Sequence, residues 1–258
     1  MKTLGKIGLF FVITFVFTML LVIVQELLGI ATTEISLPQF GPGLAALLML
    51  RLFRKDRMKL TLTLKGVHPL KYAAALGIPL AVPLLLYLVY DWQVAPIHIQ
   101  SMDSGMFVAM LGGILLGAFG EEVGWRGYAQ KLLNRQLNGV AAFVIIGVLW
   151  GVWHIGNFQH GLLFMLFYVF STIGYSAVMG WLLQGTDYNV ILASLFHFGV
   201  NAGFYILQDA LSDTRLVALN GVVWLGAAIL IARKRTTLLP GPWKQTESRL
   251  EPSHQGAA

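Results

Sequence analysis

The sequence contains no cysteine and very little charge. Without cysteine there is no disulfide, no thiolate nucleophile and no cysteine-bound zinc. Charged residues fill 12% of the 258 positions, whereas soluble domains carry roughly 25%. That leaves too little polar surface to cover a water-soluble globule. No stretch reads as a soluble domain, and no internal repeat is visible, which counts against a carrier built from duplicated halves. The formal charge of +6 would suggest nucleic acid only if the basic residues shared one wet surface. They lie mostly between apolar runs instead, so nucleic acid is not an expected partner.

What the sequence does have is long apolar runs: 57% of its residues are hydrophobic. About 20 such residues cross the hydrocarbon core as a helix. Eight candidates emerge: Ile7–Ile30, Ile35–Phe53, Tyr72–Tyr90, Gly105 to about Leu133, Gly139–Phe158, Leu162–Gln184, Asn189–Leu207 and Leu216–Ala232. The second is the weakest, because Pro38, Gly41, Pro42 and Gly43 crowd its start. A re-entrant or broken segment is the alternative there. Charge placement supports the count. With the N-terminus in the cytosol, the inner segments hold Lys2 and Lys6, then Arg51, Arg54, Lys55, Arg57, Lys59, Lys65 and Lys71. Arg126, Lys131 and Arg135 follow, and then Arg233, Lys234, Arg235, Lys244 and Arg249. The outer loops hold Glu34, Asp91, Asp103, Asp209 and Asp213, with Arg215 the lone outer base. The expected fold is therefore all-α: a polytopic membrane protein of about eight transmembrane helices with an intramembrane catalytic cavity. Residues 1–239 read as one transmembrane domain with a core at about 105–205. Residues 240–258 read as a disordered polar cytosolic tail.

Ionisable groups within membrane spans are costly and tend to be functional. Four occur here: Glu121 and Glu122 in the fourth span, His154 in the fifth and His197 in the seventh. Spans four and five form an antiparallel hairpin. Counting from its turn puts Glu121 and His154 at depths that differ by about 3 Å. One cavity opening toward the cytosol is expected to hold all these groups. Glu122 and Arg126 are one helical turn apart and can pair, which leaves Glu121 to face the cavity as a general base toward water. His197 and Asn201 are also one turn apart and project together. Gly120 and Gly124 flank the acids and permit close helix approach. The plainer readings are a solvated acid pair at a helix end and histidines hydrogen-bonded to neighbouring helices. Glu26, His68, His98, His160 and His254 fit interfacial or solvated positions.

At these residues the sequence resembles the CPBP (CaaX protease and bacteriocin-processing) family, which includes the type II CaaX prenyl endopeptidases. The motifs are Glu121-Glu122-Val123-Gly124-Trp125-Arg126, Trp150 through His154, and His197 through Asn201. Trp150 stands where the family pattern has Phe and keeps an aromatic wall. The resemblance implies an intramembrane endopeptidase in which Glu121 and His154 activate water and His197 and Asn201 stabilise the oxyanion, with Glu122 and Arg126 in support. It also implies a membrane-bound protein or peptide as substrate and an integral location, here a bacterial cell membrane with both termini cytosolic. No cofactor is expected. Zinc stays open, and Glu121, His154 and His197 would be its ligands, although the strong His-Glu-x-x-His signal is missing. The competing functions are a non-catalytic immunity or scaffold protein of the same fold and a proton-coupled transporter.

Overall fold

The computed structural model describes residues 1–32, 35–97 and 103–233, the side chains of Ile206 and Asp209 excepted. Glu34, His98, Lys234, Arg235, Lys244, Arg249, His254 and the tail expected at 240–258 lie outside the described residues. Within them the chain is helical and contains no strand. The helices are α1 (Thr3–Leu28), α2 (Gly41–Leu52), α3 (Pro69–Gln93), α4 (Ser104–Gly124), α5 (Lys131–Leu133), α6 (Gly139–Trp153), α7 (Leu162–Leu182), α8 (Val190–Phe204) and α9 (Thr214–Arg233). A π-helical stretch, Trp125–Gln130, joins α4 to α5 without a break. Each of the eight expected spans coincides with one helical segment. Five of the described segments are long and apolar enough to cross a membrane by length and composition: α1, α3, Ser104–Leu133, α7 and α9. Helices α6 and α8 have 15 residues each, about 22 Å at 1.5 Å per residue, which is short of the roughly 30 Å core. Each continues into a 3-10 segment, Ile155–His160 and Tyr205–Ala210 respectively.

The starts of the helices follow from capping chemistry. A side-chain acceptor satisfies amide N–H groups that have no partner within the helix. Asp103 accepts from the amides of Gly105 and Met106, Asn138 from Ala141, and Asn189 from Ile191 and Leu192. The lipid-facing surface is equally direct. Val12, Val16, Leu20 and Ile23 of α1 expose half or more of their area, a stripe suited to hydrocarbon rather than water.

Glycines set the tightest contacts. A Cβ at Gly124 would lie 2.5 Å from the Pro42 backbone, and one at Gly120 would lie 2.8 Å from the Phe40 ring. The weakest expected span is thus a 3-10 turn, Leu37–Phe40, running into the 12-residue α2, pressed onto the glycine face of α4. Its proline- and glycine-rich start suits this contact, because small residues let backbones approach. In α8, Gly199 and Gly203 receive Pro79 and Pro83 of α3, since added Cβ atoms would sit 2.7 and 2.8 Å from those rings. His197 and Asn201 lie two positions away from these glycines, on the opposite side of α8. Gly124→Leu is therefore expected to destabilise the protein by about 1–3 kcal/mol through overpacking. Thermal unfolding in detergent checks this, and a midpoint equal to wild type would show that the α2–α4 contact is loose.

The basic loops gather at one end, where hydrogen bonds tie them together. Lys6 pairs with Asp56 at 2.6 Å, and Arg135 donates to the Asp56 carbonyl at 2.8 Å. Lys131 donates to Asp187 at 2.6 Å and to the Lys59 carbonyl at 2.9 Å. Asn189 bonds to the Thr63 carbonyl, and the Val190 amide to the Thr61 carbonyl at 2.9 Å. At the other end, Tyr90 bonds to Asp213, and the rings of Phe107 and Tyr205 lie 5.8 Å apart.

Candidate active site

Glu121 is fully buried in the last turn of α4, and both of its carboxylate oxygens accept hydrogen bonds. Gln39 Nε2 donates to one at 3.0 Å, and the Trp150 indole donates to the other at 2.7 Å. The neighbouring acid turns away, as a 100° step per residue requires. One Glu122 oxygen meets Arg126 at 2.8 Å and His197 Nδ1 at 2.9 Å. Arg126 is itself buried, donates to Ser176 at 2.9 Å and lies 4.4 Å from the centre of the Trp150 ring. Trp150 thus joins the two acids: its indole N–H holds Glu121, while its π face covers the guanidinium that holds Glu122.

His154 is positioned differently from the expectation. The helix of the fifth span ends at Trp153, not near Phe158, and His154 is its C-cap with φ −75° and ψ 55°. Its Nδ1 contacts the Trp150 carbonyl at 2.9 Å. A carbonyl only accepts, so Nδ1 carries the proton and Nε2 is left with the lone pair. Trp153 and Tyr168 wall the ring at 4.8 and 5.2 Å between centroids.

Glu121, His154, His197 and Asn201 all line one cavity of about 370 Å³, together with Gln39 and Trp150. Glu122 and Arg126 stand behind it and reach it through His197 and Trp150. The cavity extends away from the basic loops, the side on which its opening was expected. Its further walls include Asn157, Phe164, Phe204, Leu211 and Val217, from the ends of α6 to α9 remote from the basic loops. The physical reason is twofold. The hydrogen-bonded loops described above close the basic end, and the early stop of α6 leaves room at the other.

Glu121, His154 and His197, the zinc ligands left open above, line the same cavity. Among the described residues, no three histidine, aspartate or glutamate side chains converge to hold a metal ion. Both Glu121 oxygens already face N–H donors, and His197 Nδ1 faces Glu122. The residues present do not fit a zinc centre, and no step below passes through one.

Several contributors carry no motif. Gln39 comes from the weakest expected span, and the Trp150 N–H was read only as part of an aromatic wall. Tyr175 and Asn220 line the cavity too, and Asn220 Nδ2 donates to Tyr175 and to Ser171 at 2.8 Å each. An asparagine amid the apolar residues of α9 was the available signal for this cluster.

The family model for type II CAAX prenyl endopeptidase Rce1-like proteins matches residues 103–203. This region of the chain is similar to Rce1-like proteins. It contains all three motifs, so the resemblance read from them holds there. Gln39 and Asn220 complete the cavity from outside the Rce1-like region. Lysostaphin resistance protein A of Staphylococcus aureus, from strains bovine RF122 / ET3-1, Newman and USA300, is 24% identical over 240 residues. The alignments cover 87% of this chain and 57% of those proteins. The chain therefore spans just over half the length of these curated relatives.

Proposed function

We propose that this Rce1-like membrane protein is an endopeptidase that hydrolyses a peptide bond of a membrane-associated protein or peptide with water activated by Glu121 and His154. The observation that carries this reading is the arrangement around Glu121. A fully buried carboxylate, fixed by two N–H donors, shares one cavity with two histidines and an asparagine. Ordinary helix packing gives no reason to assemble these four groups in a lipid-embedded core, where each is costly.

The chemistry follows from the available lone pairs. Each Glu121 oxygen keeps a second acceptor site after its existing bond. A water held between Glu121 and His154 Nε2 loses a proton to Glu121 as its oxygen attacks the substrate carbonyl carbon. The carbonyl oxygen becomes an oxyanion. Collapse breaks the C–N bond, and the proton held on Glu121 passes to the departing nitrogen. His197 and Asn201 supply donors to the oxyanion. Because Nδ1 of His197 donates to Glu122, an oxyanion role requires a proton on Nε2 as well, which makes the ring an imidazolium.

Asn201→Ala is expected to lower turnover by about 10²–10³, the usual worth of one oxyanion donor, with the fold intact. Cleavage of a membrane peptide by purified protein measures this, and a loss below tenfold would remove Asn201 from the oxyanion site. Metal analysis of the same preparation tests the activation step. One tightly bound zinc per chain that tracks with activity would replace Glu121 and His154 as the source of the nucleophile.

A further inference from the structure

Apart from the groups already given roles, the cavity has polar wall residues in Asn157, Tyr168, Tyr175 and Asn220. Asn157 is half-buried, in the mostly exposed 3-10 segment Ile155–His160. Tyr175 and Asn220 are both at least nine-tenths buried. Asn220 comes from α9, beyond the residues 103–203 that hold the three motifs. Its Nδ2 donates to Ser171 Oγ and to Tyr175 Oη at 2.8 Å each. The bond to Ser171 alone would tie α9 to α7. The bond to Tyr175 does more. It occupies a lone pair of the phenol oxygen, which turns the hydroxyl hydrogen away from Asn220. Among the described residues no group accepts that hydrogen. The ring is fixed by its neighbours: Trp224 meets it in a T-shaped contact at 4.8 Å between centroids, and Trp150 lies 5.9 Å away. Trp150 is also the residue whose indole N–H holds Glu121 at 2.7 Å. A fixed donor with its hydrogen uncommitted thus lies one ring contact from the group that holds Glu121.

We propose that the Tyr175 hydroxyl binds the substrate, donating to a backbone carbonyl oxygen of a peptide unit next to the scissile bond, and that Asn220 is the positioning residue that aims it. This rests on the endopeptidase reading, which puts the scissile bond at Glu121 and gives its carbonyl oxygen to His197 and Asn201. That carbonyl already has its donors, so Tyr175 serves a neighbouring one. A backbone carbonyl is the acceptor that every peptide carries, whatever its side chains. A peptide drawn into a helix-lined cavity leaves water behind, and its carbonyls then need donors from the wall. A fixed phenol meets that need without adding a charge. It also sets the register of the chain. With one carbonyl held at Tyr175, the adjacent peptide bond is brought to Glu121 in a defined position.

Tyr175→Phe removes the hydroxyl and keeps the ring between Trp150 and Trp224, so a folded protein is expected. With internally quenched peptides of varied termini in detergent micelles, this variant should raise KM by about 3–10-fold, the worth of one neutral hydrogen bond. Its kcat should stay within about twofold of wild type, the mark of a contact made equally in ground and transition states. Glu121→Gln protein holds the same peptide without cutting it, and its affinity should weaken by the same factor when Tyr175→Phe is added. Asn220→Leu should reproduce the KM change, and the double variant should add nothing, because the two residues act as a unit. An ester in place of the peptide unit beside the cleaved bond has a weaker carbonyl acceptor. It should raise KM for wild type and not for Tyr175→Phe. Unchanged KM and affinity in Tyr175→Phe, even with a lowered melting temperature, overturn the proposal and leave the pair as a tie between helices. Additive losses in the double variant overturn the positioning role of Asn220. If a peptide binds with Tyr175-dependent affinity but wild type cuts it no faster than Glu121→Gln does, the binding site stands and the endopeptidase reading fails. Failure of wild type to bind any peptide of the set overturns both.

Discussion

Glu121→Gln is expected to leave a folded protein whose turnover has fallen by about 10²–10⁴, the range for removing a positioned general base. The substitution keeps the volume but not the acceptors. The carboxylate now receives one N–H from Gln39 and one from Trp150. A carboxamide can satisfy one of these and must turn its own NH₂ toward the other, leaving a donor facing a donor. That mismatch costs about 1–3 kcal/mol of stability, so activity should be compared on fractions shown to be folded by size-exclusion chromatography. Trp150→Phe serves as the companion variant: it removes one donor, keeps the aromatic wall and leaves the carboxylate in place. It should retain more activity than Glu121→Gln. If Glu121→Gln keeps turnover within tenfold of wild type, the role assigned to this carboxylate is wrong.

Glu122→Ala is expected to act first on stability. It strips the partner from Arg126, whose side chain is wholly buried, and breaking such a pair from one side costs about 3–5 kcal/mol. Removing both charges should be milder than removing one, because the remaining penalty in the single variant is an uncompensated buried guanidinium. The double variant Glu122→Leu with Arg126→Met should therefore unfold at a higher temperature than Glu122→Ala, though His197 loses its Nδ1 partner in both. Thermal melts in detergent and a cleavage assay separate the two effects. A Glu122→Ala protein as stable as wild type would mean that Arg126 finds another acceptor, while a double variant less stable than the single would mean that the pair holds more than its own charges.

Much of the fold was legible because lipid imposes a simple rule. A crossing helix must be long and apolar, and the capping residues Asp103, Asn138 and Asn189 mark where such runs begin. Glu121, His154, His197 and Asn201 stood out for a related reason, since polar side chains deep in apolar runs need an explanation. Their gathering around one cavity follows from packing that Gly120, Gly124, Gly199 and Gly203 allow. Other features left no such trace. The end of α6 at Trp153 was hidden because Ile155 continues the apolar pattern, and the backbone turns at His154 without a proline. The direction in which the cavity extends was not legible because depth counted from a helical turn is silent on which end the loops close. Gln39 was missed because its segment, broken by proline and glycine, resembles a poor helix more than part of a site.

The π-helical stretch Trp125–Gln130 has a consequence for how this sequence can vary. A π turn closes hydrogen bonds one residue later than an α turn, so it holds one residue more than the α-helix it interrupts. Deleting one residue there would let the Ser104–Leu133 rod close at the ordinary α pitch with its two ends in nearly the same relative orientation. Lys131 would then still face Asp187, and Glu121 would still face Gln39 and Trp150. A second deletion would turn one end by about 100° against the other and break one of these attachments. Chain length between Glu122 and Lys131 thus carries one residue of slack and no more.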